Sequence, residues 1–392
     1  WINKEIRNRL KFNGIVITPE HHESHACSAF YASPFQKAAI LTMDGVGEWA
    51  TTSFGYGQNN SITLTNQISF PHSIGLLYSA FTYYTGFKVN SGEYKLMGLA
   101  PYGQPIYKNL IYDNLIDLKD DGSFRLNMDF FNYCAGLTMT NEKFNSLFGR
   151  SPREPEGPIT KLDMDLAASI QFVTEEVVLK VAHHVHRVCK EDYLCLGGGV
   201  ALNCVANGKL LREGPFKSIW IQPAAGDAGG ALGAALYVWY KHLGHARNVP
   251  KNIDFQKGSY LGTSYSDEYI KTYLDHNSLP FIKFKNSKEL SATIAKHLNK
   301  GKVVGWFNGK MEFGPRSLGS RSILGDPRSP KMQSQMNLKI KYRESFRPFA
   351  PAILSDHVED WFEVSRADSD NAFLSPYMLL VGRVRERHIK LD

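Results

Sequence analysis

The sequence predicts an α/β protein, and three observations predict it. Ile40-Leu41-Thr42-Met43, Tyr193-Leu194-Cys195-Leu196 and Ile219-Trp220-Ile221-Gln222 are short apolar runs with the length and bulk of buried strands. The second and third run directly into small-residue turns, Gly197-Gly198-Gly199 and Ala224-Ala225-Gly226-Asp227-Ala228-Gly229-Gly230, each of which opens a helix. Residues 164–189 carry Leu166, Ile170, Val173, Val177, Val181 and Val185 at helical spacing. Strands, glycine turns and helices in alternation point to helices layered on a sheet.

Taken in order, residues 38–68 read as strands with turns at Gly45–Gly47 and at Asn59-Asn60, Thr51 to Gly57 forming a partner strand. Helices follow at 74–86 and 164–189. The intervening residues 104–160 carry turns, aromatics and the Pro-rich piece Ser151 to Pro158, the pattern of an excursion or lid. Strand and helix alternate from 190 to 240, and Lys241 to Tyr260 is polar and loop-like, as a linker would be. A helix at about 287–299, a strand at Val303 to Phe307, a helix at about 330–340 and a strand near Phe349 to Leu354 form a second unit. Two domains are therefore expected, residues 1–260 and 280–392, as the length of 392 also suggests.

The composition, 43% hydrophobic and 21% charged, is that of an ordinary globular chain. No apolar run approaches the roughly 20 residues needed to span a bilayer, so no membrane partner is expected. The five cysteines are scattered, odd in number and free of any CxxC pair, which argues against a disulfide framework and fits a reducing cytoplasm. The net charge of +7 is concentrated: residues 301–350 hold ten Lys and Arg against Glu312, Asp326 and Glu344. A solvated basic face is one reading. Interleaving of the charges with Gly314, Pro315, Gly319 and Phe349 favours a shaped pocket for phosphates over a nucleic-acid surface.

Chemistry is signalled first by His21 and His25. An i,i+4 pair lies on one helix face, so two imidazoles can reach one cation. The protease pattern HExxH is absent, and a polar helix start with surface histidines fits the same spacing. The glycine turns at 197–199 and 226–230 allow close backbone approach and offer helix N-termini to phosphate, which suggests a nucleotide cleft. Tight helix–strand packing uses the same residues.

With these motifs the chain resembles the O-carbamoyltransferases typified by nodulation protein U and by the cephamycin and tobramycin enzymes. The resemblance rests on His21-His22-Glu23-Ser24-His25-Ala26, Leu41 to Gly45, Gly92 to Gly103, Asp165 to Gln171, Gly197 to Asn203, Gly226 to Gly230 and Phe313 to Ser322, in the family's order and over nearly the whole chain. It implies an actin/sugar-kinase-like nucleotide-binding domain followed by the start of an α+β carbamoyl-adenylate-forming domain, with family segments lying before Trp1 and after Asp392. It implies carbamoyl phosphate and ATP as substrates, carbamoyl-adenylate as the intermediate, and a sugar-like or natural-product hydroxyl as acceptor. His21, His25, Asp44 and Asp227 match the family's metal ligands, iron(II) being favoured over manganese or zinc, with Mg accompanying ATP left open. Asp227 also suits a helix N-cap and Asp44 a strand-end turn. Arg316, Lys341 and Arg347 match positions that hold the phosphates, with Arg321 and Arg343 as lesser candidates. Gly198, Gly199, Asn203 and Gly226 would cradle the nucleotide, and a loop carrying Glu93 and Lys95 would face the acceptor. A homodimer is left open. The competing functions are a tRNA threonylcarbamoyl-modifying enzyme, a small-molecule kinase of the same superfamily and a non-catalytic nucleotide-binding scaffold.

Overall fold

The computed structural model describes residues 2–155, 157–249, 254–363 and 375–389. The chain opens with α1 (Ile2–Leu10), which buries none of its residues, and α2 (His21–Ala32), which buries ten of its twelve. Three strands follow, β1 (Lys37–Gly47), β2 (Ala50–Gln58) and β3 (Ser61–Ser69), then α3 (Ile74–Tyr84) and α4 (Glu93–Leu99). The turn expected at Gly45–Gly47 lies instead at Glu48-Trp49, because β1 runs on past Asp44 through a bulge. Residues 104–160 hold α5 (Lys108–Asn114), the hairpin β4 (Ile116–Leu118) and β5 (Phe124–Leu126), and α6 (Glu142–Phe148). This excursion is a packed layer: Phe144 and Phe148 close on Phe81 and Tyr84 with ring centroids 4.9–5.8 Å apart.

The long helix α7 (Lys161–Cys189) begins where the Thr160 N–H donates to Asp163 Oδ2 at 2.8 Å, and ends at Lys190 in the left-handed region. Next come β6 (Tyr193–Gly197), α8 (Cys204–Glu213), β7 (Ser218–Ile221) and α9 (Ala228–Leu236). The sheet order is β3-β2-β1-β6-β7. Tight turns make β1, β2 and β3 an antiparallel meander. Helical crossovers make β6 parallel to β1, and β7 parallel to β6. β1 is thus central, with Leu41 opposite both Phe54 and Leu196.

Its residues alternate between two apolar layers, as a period of two requires. Ala39, Leu41 and Met43 face the side of α3 and α7, while Ala38 and Ile40 join Phe30, Tyr31 and Trp220 on the side of α2. The expected linker is anchored: Arg247, 4% exposed, donates to the carbonyls of Phe30, Tyr31, Ser33 and Phe35 at the C-terminus of α2.

After residue 260 come α10 (Asp267–His276), α11 (Ser287–Asn299) and the antiparallel pair β8 (Val304–Phe307) and β9 (Arg321–Leu324). The helix expected at 330–340 is a short α-helical turn, Met332–Gln335, continued as a π-helix, Met336–Ile340. The strand expected at 349–354 does not form. Pro348 and Pro351 lack the N–H a ladder needs, and the segment pairs with no neighbour among the described residues. No described helix is long and apolar enough to cross a membrane.

Candidate functional site

At one end of β1 four side chains from three segments converge. His21 and His25 project from the first turns of α2, Asp44 from β1, and Asp227 from the residue preceding α9. Asp44 Oδ2 lies 2.8 Å from His21 Nε2 and 3.2 Å from His25 Nε2, and the two nitrogens are 3.0 Å apart. Asp227 Oδ1 completes the group at 3.4 and 3.8 Å from the same nitrogens. All four donor atoms lie within 4.8 Å of one another.

Local structure explains the convergence. The β1–β2 register shifts between Met43 and Gly47, and such a bulge re-aims a side chain. The second oxygen of Asp44, Oδ1, accepts the Gly199 N–H at 3.0 Å, which fixes the carboxylate's rotation. α9 crosses α2 closely because Gly233 lies against the Ser24 carbonyl, where a Cβ would come within 1.9 Å. That crossing brings Asp227 over the histidines. Asp227 occupies an N-cap position, yet its side chain makes no cap hydrogen bond and points at His21 and His25 instead.

The electrostatics favour a cation. Burial works against ionising Asp44, but the hydrogen bonds to His21 and His25 prevail and hold its carboxyl well below the usual range. The same contact raises His21 against the opposing effect of burial. Neighbouring His22 is driven the other way, to about 4, by burial; its Nδ1 meets Thr42 Oγ1 at 2.8 Å. Two imidazole nitrogens and two carboxylate oxygens facing one point are a donor set that one ion would satisfy together. Ligands about 2.1 Å from a tetrahedral ion sit roughly 3.4 Å apart, and the separations of the two imidazole nitrogens from each other and from the carboxylates, 2.8–3.8 Å, bracket that value. Two imidazoles with two carboxylates suit iron(II), manganese or zinc. His25 Nδ1 is buried without a partner, so the usual outer hydrogen bond to a ligating imidazole is missing there.

The other expected site residues are distributed as follows. Gly198, at φ +85°, lies against the Met43 backbone, and the Gly199 N–H is engaged by Asp44. Asn203 caps α8 by accepting the Ala206 N–H at 3.1 Å, and its amide exchanges hydrogen bonds with Gln171 at 3.0 and 3.1 Å. Gly226 sits beside Leu202. Arg316 donates to the Leu202 carbonyl at 2.9 Å, and its Nε is buried without a partner.

Lys341 and Arg347 belong to a separate cluster with Arg343, in which burial, then the two arginines, lower the Lys341 pKa. Glu344 sits among them, 2.6 Å from Lys95 Nζ and 3.4 Å from Arg347 Nη1. Arg347 also stacks on Tyr94, 4.5 Å from the ring centroid. The expected loop at Glu93 and Lys95 is the helix α4, since Glu93 accepts from the Asn90 N–H at 3.0 Å and from Ser79 Oγ at 2.7 Å. Sequence reasoning did not find the Lys95–Glu344 pair, nor Glu48, whose carboxylate accepts the His21 N–H at 3.1 Å. Both depend on approach between distant segments. The one sequence signal near Glu48 is the tight turn itself.

Comparisons with known proteins bear on this arrangement. Residues 3–236 match the carbamoyltransferase N-terminus family and residues 295–391 the carbamoyltransferase C-terminus family. An uncharacterized protein of Synechocystis is 62% identical over 94% of the chain and 58% of its own length. Nodulation protein NolNO of Sinorhizobium fredii is 36% identical over 93% of the chain and 51% of its own. Nodulation protein NolO of Bradyrhizobium diazoefficiens is 36% identical over 93% and 63%. The chain therefore spans between about half and two thirds of these relatives. A likeness to the crystal structure of T. kodakarensis HypF, at 13% identity over 62% of this chain and 39% of that one, has a TM-score of 0.32, too low to carry weight.

Proposed function

The chain belongs to the carbamoyltransferase family, and on that premise we propose that it takes part in ATP-dependent O-carbamoylation. In this reading a carbamoyl group passes from carbamoyl phosphate, through carbamoyl-adenylate, to a hydroxyl of a sugar-like or natural-product acceptor. The observation that carries it is the convergence of His21, His25, Asp44 and Asp227 on one point. We assign the transfer step to residues 1–260, read as an actin/sugar-kinase-like domain, and anion binding to residues 280–392. The free thiols, Cys27 and Cys195 buried among them, fit a cytoplasmic setting.

An ion held by the four ligands, iron(II) by family resemblance, would supply Lewis-acid polarisation of the carbamoyl carbonyl. The chain's own residues do the rest. Asp44, steadied by the Gly199 N–H, brings a fixed negative charge to the site. Lys341, Arg343 and Arg347 crowd positive charge around the lone carboxylate of Glu344, so the cluster is left wanting an anion such as the phosphates of ATP or carbamoyl phosphate. Arg316 reaches the Leu202 carbonyl beside Asn203, linking the second unit to the glycine turn expected to hold the nucleotide. In the transfer the acceptor oxygen bonds to the carbamoyl carbon. The bond from that carbon to the adenylate oxygen then breaks, AMP leaves with the electron pair, and the acceptor proton passes to solvent.

Protein purified without chelator should carry close to one transition metal per chain, and His25→Ala should lose it. With ATP and carbamoyl phosphate, AMP and pyrophosphate are the products expected, where a kinase would release ADP. Full metal occupancy in His25→Ala, or ADP as the product, would overturn the assignment.

A further inference from the structure

The four ligands are not equally restrained. The His25 side chain is 1% exposed and locked by its surroundings, whereas that of His21 is 29% exposed. α2 also lacks a cap of its own: Glu20 stands at the N-cap position and its side chain makes no cap hydrogen bond. The free N-terminal N–H of His21 is met from another element, by the carboxylate of Glu48 at 3.1 Å.

Glu48 occupies an unusual position. Gly47 pairs with Ala50, so Glu48 and Trp49 form the two-residue loop of the β1–β2 hairpin. Glu48 has φ +50°, where such loops favour glycine, asparagine or aspartate. A long side chain kept in a strained backbone conformation beside a functional site points to a task for that side chain. The adjacent Gly47 is pressed on the His21 ring, since a Cβ there would come within 2.2 Å of Cδ2. The hairpin therefore grips His21 at three places: Asp44 at Nε2, Gly47 at the ring and Glu48 at the backbone N–H.

We infer that Glu48 is a positioning residue of the proposed metal centre, capping the ligand-bearing helix from the hairpin and fixing where His21 directs its imidazole. This rests on the metal reading above. The carboxylate at the start of α2 also opposes fraying of the turn that carries both histidines.

Glycine substitution separates positioning from a merely structural role, because glycine relieves the strain at φ +50° while deleting the carboxylate. The 392-residue chain, stripped of metal, is titrated with Co(II) against a competing chelator, and its apo melting temperature is recorded. Glu48→Gly should weaken Co(II) binding about tenfold, as loss of supporting groups around a metal does, with a melting temperature close to the parent's, because relief at φ +50° offsets the lost cap. Glu48→Gln should stay within about threefold of the parent, because its amide oxygen still accepts the His21 N–H. Parent-like Co(II) affinity in Glu48→Gly would overturn the role of Glu48 alone. So would a loss of affinity in Glu48→Gln as large as in Glu48→Gly. A parent chain that binds no Co(II) would overturn the metal centre and the role of Glu48 together.

Discussion

The two regions of this chain are built on different physical terms. Around β1, Ala38 to Leu41 are wholly buried, and α2, α3 and α7 close both faces of the sheet. In the region after residue 260, α10 and α11 bury none of their residues, β8 and β9 form a two-stranded sheet, and Tyr269, Tyr273, Phe281 and Ile282 stand exposed. The candidate ligands are held by the first region. The Lys341–Arg347 cluster meets the first region at α4, through Lys95–Glu344 and Arg347 on Tyr94. The first region is closed on both faces of its sheet, and the second meets it through polar contacts such as Lys95–Glu344 and Arg316–Leu202 and through Leu318, Phe346 and Leu379, which pack against the first region's core.

The sharpest way to break this contrast is to remove one leucine from each region. Leu41→Ala should cost about 3 kcal/mol, as large cavities in tight cores do, because Leu41 is fully buried in β1. Leu298→Ala on α11, where no residue is buried, should cost less than about 1 kcal/mol. Chemical denaturation of both variants checks this, and equal losses would mean the regions share one core.

Paired glycines sharpen it further. At Gly199 a Cβ would come within 2.9 Å of Asp44 Oδ1, so Gly199→Ala should destabilise by roughly 1–2 kcal/mol and lower metal content. Gly305, in β8, has nothing within 4 Å of a Cβ, so Gly305→Ala should be neutral or stabilising by up to about 0.5 kcal/mol. Effects of the same sign in thermal melts would remove the distinction.

Much of the first region was legible because its signals are local. The His21–His25 spacing, the apolar period of α7 and the glycine turns each need only a few neighbouring residues to be read. The strand-end position expected for Asp44 missed the bulge, since a register shift depends on the partner strand. Glu48, Gly233 and the Lys95–Glu344 pair were not legible, because each matters only through a segment far away in sequence. In the second region the helix at 287–299 and the strand at 303–307 fall within a residue of where they were expected, whereas α10 and β9 were not expected at all. With little burial its apolar pattern is weak, and Pro348 and Pro351 undid the strand expected from Phe349 to Leu354.

The smallest effect tests the junction. Burial opposes ionisation of Glu344, but the hydrogen bond from Lys95, a backbone hydrogen bond and the charges of Lys95 and Arg347 together outweigh it and depress the pKa. A depressed carboxyl stabilises above its unfolded pKa of about 4.3 and loses that contribution as pH falls through the folded value. The melting-temperature gap between the parent and Glu344→Gln should therefore hold steady above about pH 5 and close toward pH 3. A gap independent of pH would show that the Lys95–Glu344 contact is electrostatically idle.

Asp227 lies 183 residues beyond Asp44 (227 − 44), so the fourth corner of the cluster arrives long after the other three during synthesis. His21, His25 and Asp44 can meet as soon as α2 docks on β1. The clasp cannot shut until β6, β7 and the α2–α9 crossing are in place, with the closure of a very long loop already accomplished. An ion gripped by all four side chains would then be a seal on a finished sheet, and its slow release would report the last step of assembly undone.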